Sequence, residues 1–279
     1  MSYKTIVVQL DTSKRTPARI DCALHLARHF RAHLSGVFSD FTLDPRFYYE
    51  QSSTERYCVS FEQTCIDRRA KVETLFRSSL AQTKVAGNWV ARERYAPISL
   101  SRYARCADLI ITGQHDRDDP EAYLADRYPE QLVLSSGRPV LVVPHTGAIN
   151  PVGAKVLVAW NGSREATRAV HDALPFLQVA RRTTMIVIVG EAEEYRGPCA
   201  RGSDLVAALA RHGVQVEYSE IEVKNRARVG ETLLSLASEF GADLVVMGAY
   251  GHSRWRELIL GGATQTVLEA AQVPVLMSN

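Results

Sequence analysis

Gly248, Gly251 and Gly261, with Gly262, Ala263 and Thr264 directly behind them, form the stretch of this sequence best suited to chemistry. An apolar run, Leu244-Val245-Val246-Met247, leads into it, and a helical pattern, Gln265-Thr266-Val267-Leu268, leads out. Glycine permits backbone angles and close approaches denied to other residues, and the free amides at the start of a helix point toward an anion. Phosphate oxygens would meet the amides of Gly261, Gly262 and Ala263 and the Thr264 hydroxyl, while His252, Ser253 and Arg254 could fold over the outer charge. A plainer reading stands beside this one: Gly248 and Gly251 as a tight turn, His252 as an exposed loop residue, Arg254 with Arg256 as a solvated face. The joint spacing favours binding, and it favours Arg254 above His252.

A phosphate loop needs a strand and a helix to hold its ends. Strand-like runs at 155–160, 183–189, 214–222, 243–247 and 273–277 alternate with helical patterns near 164–179, 200–213, 228–240 and 262–271. Strands separated by helices predict a doubly wound parallel sheet covered on both faces, with any ligand beyond the carboxyl ends of the strands. Ser163 is placed as an N-cap, and Gly213, Gly241 and Gly87 where helices hand over to strands.

The chain also repeats itself. A shift of 150 residues aligns Thr5–Ser13 with Lys155–Ser163, and a shift of 135 aligns Ala107-Asp108-Leu109 with Ala242-Asp243-Leu244, Gly113 with Gly248 and Pro139-Val140-Leu141 with Pro274-Val275-Leu276. Two domains of one α/β type are expected, at 1–147 and 152–279, the first carrying an aromatic-rich insertion near 41–61. That insertion could wall a second pocket, meet a partner or simply cover the sheet. Carried through the alignment, the first half has Asp116 at the place of Gly251, Asp126 at Gly261, Arg127 at Gly262 and Pro129 at Thr264. Carboxylates beside an anion site repel, so no phosphate cradle is expected there despite Gly113 and Asp11. Asp11, Asp108 and Asp243 show no partner in the sequence and read as turn or capping residues. Trp160, at a strand end, divides evenly between packing and a ligand platform.

Composition narrows the function classes. Lys plus Arg number 33 against 31 Asp plus Glu, a net charge of +2 that lacks the concentrated basic field of a nucleic-acid binder. The apolar runs are far shorter than the roughly 20 residues that span a bilayer, and the amino terminus enters a strand without a leader-like segment, so a cytoplasmic protein is expected. Five cysteines, Cys22, Cys58, Cys65, Cys106 and Cys199, without metal-site spacing, read as free thiols.

With glycines in the pattern Gly-x2-Gly-x9-Gly after the fourth strand of its second half, the chain resembles the universal stress protein family, in its nucleotide-binding branch and as two consecutive domains. Gly262 stands where the family has Ser or Thr, and Asn161 where it commonly has Asp. The resemblance implies an adenine nucleotide (ATP, ADP or AMP) held by Ala159, Trp160, Asn161, Val189, Met247, Gly248, Gly251, Arg254, Gly261, Gly262, Ala263 and Thr264. A magnesium ion would find an uncharged amide at Asn161. The resemblance further implies that the domains pair through their last strands as an intramolecular pseudo-dimer, and that homodimers form. Three functions stay open: a nucleotide-responsive sensor or regulator in the stress response, a slow ATP hydrolase or phosphotransferase, and a nucleotide-free scaffold. Glu257 is the only carboxylate in the loop, and no set of residues defines a catalytic mechanism.

Overall fold

The computed structural model describes residues 2–39, 55–90, 100–101, 103–116, 118–119, 128–147, 149, 151–189, 202–222, 228–250 and 262–279, of which 55–62, 188–189 and 222 are described by backbone alone. The first half contains β1 (Thr5–Leu10), α1 (Thr16–Phe30), β2 (His33–Phe38), α2 (Glu55–Thr83), β3 (Gly87–Val90), β4 (Leu109–Gly113), α3 (Tyr128–Ser136) and β5 (Val140–Val143). The second contains β6 (Lys155–Trp160), α4 (Arg164–Asp172), α5 (Leu174–Leu177), β7 (Arg182–Val189), α6 (Gly202–Arg211), β8 (Glu217–Glu222), α7 (Val229–Glu239), β9 (Leu244–Gly248), α8 (Ala263–Ala270) and β10 (Val275–Ser278).

All ten strands form one sheet, in the order β3-β2-β1-β4-β5-β10-β9-β6-β7-β8. Within each half every pairing is parallel, and strand order reverses beside β1 and, in the second half, beside β6. That reversal opens a crevice between the carboxyl ends of β1 and β4 and another between those of β6 and β9. The halves join where β5 runs antiparallel to β10, with Leu141 opposite Leu276 and Val142 opposite Val275. The two crevices therefore open in opposite directions. This is the doubly wound, tandem arrangement expected, including the pairing through the last strands.

Because helices cover both faces, the central strands are apolar throughout. Alternate residues divide between two cores: Ile6, Val8, Val156, Val158, Leu244 and Val246 meet Ile20, Leu24 and Ala27 of α1 and Ala166 and Val170 of α4 on one face. Val7, Ile110, Leu157, Val245 and Val275 meet Leu233 and Ala237 of α7 and Val267 of α8 on the other. Rings from both halves close the seam: Tyr3 lies edge-on to Phe30 at 5.0 Å and to Phe176 at 5.5 Å, and its hydroxyl donates to the Asp172 carbonyl at 2.5 Å.

Ser163 caps α4 by accepting from the Ala166 amide at 3.1 Å, and Gly213 and Gly241 end α6 and α7 with φ of 77° and 58°, as expected. Gly87 is different. Lys84 supplies the left-handed turn after α2 (φ 55°), while Gly87 opens β3, where a Cβ would lie 2.4 Å from the Leu34 carbonyl oxygen. The single helix expected near 164–179 is two, because Pro175 cannot donate to the ladder and a new turn begins at Leu174. The strand expected from 214 starts at Glu217. At the position of the 10-residue α6, the first half has the 29-residue α2, so part of its extra length is helix; residues 40–54 of the aromatic insertion lie outside the described residues.

Asp108 and Asp243 have the same task in the two halves. Asp108 accepts from the amides of Lys4 and Thr5 at 2.7 and 2.9 Å, and Asp243 from those of Gly153 and Lys155 at 2.8 and 3.0 Å. Each carboxylate pins the amino end of a central strand to its neighbour. Cys22, Cys65 and Cys106 form no disulfide among the described residues, and burial pushes the Cys22 thiol up to about 12.

Candidate functional site

The second-half crevice is built on paired strand ends, with Ala159 opposite Met247 across β6 and β9. Asn161 follows β6 and turns back on itself, its Oδ1 accepting from the Ser163 amide at 3.1 Å. Gly248 ends β9 beneath α4: a Cβ there would stand 2.4 Å from the Ala166 nitrogen and 2.6 Å from the Glu165 carbonyl carbon. The glycine is thus required by close approach of a helix start, which brings the amino end of α4 over the crevice. Met247 is buried, and so is Trp160, whose ring belongs to the core on the α1 and α4 face with Nε1 unpartnered among the described residues. Of the two roles weighed for Trp160, packing is the one observed.

Beyond β9, Tyr250 takes a left-handed conformation (φ 61°), and its amide lies 3.5 Å from the Thr264 hydroxyl. Tyr250 and Thr264 therefore lie side by side. Gly262 is the N-cap of α8, extended at ψ 165°, and makes no side-chain cap. Its carbonyl accepts from Gln265 and Thr266, which leaves Ala263 and Thr264 at the open end of the helix, a position that receives negative charge. Val189 ends β7 beside Glu222 of β8, two strands from β9. Gly251, Arg254 and Gly261, with His252 and Ser253, lie outside the described residues.

The first-half crevice has a different interior, which the sequence reading missed. Asp11 does have a partner: Arg19 of α1 reaches back beneath β4, its Nη2 3.0 Å from Asp11 Oδ1 and its Nη1 3.1 Å from Oδ2. Arg19 Nη1 also donates to the Gln9 side-chain oxygen and Nη2 to the Ser13 hydroxyl at 2.9 Å. Thr16 and Ser13 hydroxyls donate to Asp11 as well. Burial alone would raise the Asp11 carboxyl, but the Arg19 charge and the hydrogen bonds from Arg19, Ser13 and Gln9 hold it well below the usual carboxylate range. The guanidinium lies against Gly113, whose missing Cβ would be 3.0 Å from Arg19 Cζ. At the aligned positions of the second half, Gln9 is replaced by Ala159, Arg19 by Ala169 and Gln114 by Ala249. One crevice holds a cluster of its own polar and charged side chains, and alanines stand at the aligned positions of the other. The available signal was Arg19 itself, a charge in the otherwise apolar stripe of Ile20, Ala23, Leu24 and Ala27.

The paired strand ends, the crevice at the strand-order reversal and the antiparallel seam define a tandem α/β protein of the doubly wound class. Residues 154–279 match the model of the Universal stress protein family. A universal stress protein of Synechocystis is 29% identical over 147 residues, 53% of this chain and 49% of that one; one of Mycobacterium bovis is 27% identical over 185 residues, 62% of each. The chain thus spans between about half and three fifths of the length of these relatives. The fold of a universal stress protein from Archaeoglobus fulgidus superposes with a TM-score of 0.72 at 15% identity, covering 99% of this chain and 96% of that one. Over residues 154–279 the chain is thereby similar to the Universal stress protein family, and its fold as a whole is similar to that of the Archaeoglobus protein. No helix among the described residues is long and apolar enough to cross a membrane.

Proposed function

We propose that the C-terminal domain, at about 152–279, binds an adenine nucleotide between the ends of β6 and β9 and the start of α8, and that the protein acts as a nucleotide-responsive sensor or regulator in the stress response. The observation that carries this is the contrast between two crevices of one fold: small residues Ala159, Ala169 and Ala249 stand where the first half has Gln9, Arg19 and Gln114. Two helix starts support it, α4 drawn over Gly248 and α8 opening uncapped at Gly262, because both present amides to negative charge. In this reading Gly251, Gly261 and Arg254 complete the phosphate contacts, the ends of β6 and β7 at Asn161 and Val189 meet the base or ribose, and ligand binding changes affinity for a protein partner. Asn161 spends its oxygen on the Ser163 amide, so a magnesium ion would be held mainly by the phosphates.

Calorimetry with ATP, ADP and AMP tests this. One nucleotide per chain is expected, with affinity falling at least about tenfold in Gly251→Asp and Gly261→Asp, which reproduce the first half and set a carboxylate beside the phosphates. Absence of binding to the wild type, or unchanged affinity in both variants, would overturn the reading.

A further inference from the structure

The first-half crevice retains a cavity between the ends of β1, β4 and β5, bounded by Arg15, Arg19, Gln114, His115 and Asp116 among others. Four buried nitrogens of these residues, Arg15 Nε, Arg19 Nε, Gln114 Nε2 and His115 Nδ1, have no hydrogen-bond partner among the described residues. Three are donors in every protonation state at neutral pH, and leaving a buried donor unpaired costs roughly 1–3 kcal/mol. Gln114 matters most. It is 7% exposed, and its Oε1 accepts both the His145 amide at 2.9 Å and His145 Nδ1 at 2.8 Å. A backbone amide can only donate, so the side chain cannot be reversed, and Nε2 must be the end left to the cavity.

Each carboxylate at the cavity already accepts a hydrogen bond. Asp11 is bound by Arg19, Ser13 and Thr16, Asp119 accepts from the Lys14 amide at 2.8 Å, and Asp116 from the Asp118 amide at 3.0 Å. The buried polar atoms left unpartnered at the cavity, among the described residues, are the four nitrogens. Asp11 already answers Arg19, so Arg15 is the guanidinium left to meet a single charge, whereas Asp116 and Asp119 would repel a polyphosphate.

We propose that this cavity is a second ligand site, for a small monovalent oxyanion of the carboxylate or nitrate type, held by Gln114 Nε2, Arg15 Nε and His115. It is built from side chains, is independent of the second-half crevice and opens toward the opposite side of the sheet. Arg15 ties the site to the segment joining the halves, since its Nη2 also donates to the Gly147 carbonyl at 3.1 Å.

The test is a thermal-shift titration at constant ionic strength with sodium acetate and sodium nitrate, against sodium chloride as reference, on the full chain. A saturable rise in Tm with acetate or nitrate is expected. In Gln114→Glu, which keeps the acceptor for His145 but loses the donor, the apparent affinity should fall about tenfold or more, as loss of a hydrogen bond to a charged group implies. Arg15→Met should weaken it in the same direction and serves if the first variant fails to fold. A Tm response to ATP, which belongs to the other crevice, should survive both substitutions. No saturable effect beyond chloride, or the same response in both variants, would overturn the proposal; loss of the ATP response alone would count only against the nucleotide reading.

Discussion

At the scale of single residues, the decisive chemistry is a buried charge meeting a buried countercharge. Arg19 and Asp11 have side chains only 3% and 13% exposed, and each would be costly to leave alone. Arg19→Met should therefore lower unfolding free energy by about 3–5 kcal/mol, read from urea denaturation, because it strands the Asp11 carboxylate in the core. The same pair sets an acid limb. The Asp11 carboxyl is depressed in the folded protein, so its contribution is complete above the ordinary carboxylate pKa of about 4 and is lost as pH falls below that toward the folded value. Asp11→Asn should flatten the decline of Tm on acidification below about pH 4 relative to wild type. The charged donor to Asp11 was invisible in the sequence because Arg19 lies eight residues away on a different element, and only the return of α1 across β4 brings the two together.

At the scale of elements, the second-half crevice depends on how α4 starts. Ser163 caps the helix, Asn161 shapes the turn before it, and Gly248 admits it against β9. Ser163→Ala should cost about 1 kcal/mol in urea denaturation by removing the cap. Both glycines at helix ends and this cap were legible, since αL turns and N-caps depend on local residue type. Gly87 was not, because its need for space comes from Leu34 of a neighbouring strand and from Leu80 of α2. Gly248 reads as a loop glycine in the sequence and proves to be a packing glycine as well, for the same reason.

At the scale of the whole molecule, the antiparallel seam between β5 and β10 makes one sheet from two domains, and Tyr3, Phe30 and Phe176 lock it from one face. With core residues from both halves in contact on each side of the sheet, the domains should unfold together. Calorimetry should show a single heat-absorption peak with equal calorimetric and van't Hoff enthalpies; two resolved peaks would show that the seam does not couple them.

The amino-acid sequence by itself determined the repeat, the alternation of strands and helices, the doubly wound class and the asymmetry of the glycines, because periodicity, caps and turn chemistry act over a few residues. The resemblance to the universal stress protein family pointed to Ala159, Asn161, Met247 and Gly248, which stand at or just beyond the paired ends of β6 and β9. Only the tertiary structure decided that Trp160 belongs to the core, that Asp108 and Asp243 pin strands, and that the first crevice holds Arg19 yet keeps unspent donors at Arg15 and Gln114. Those outcomes depend on which distant side chains meet in a low-dielectric interior, where a charge or donor must find a partner that lies far along the chain.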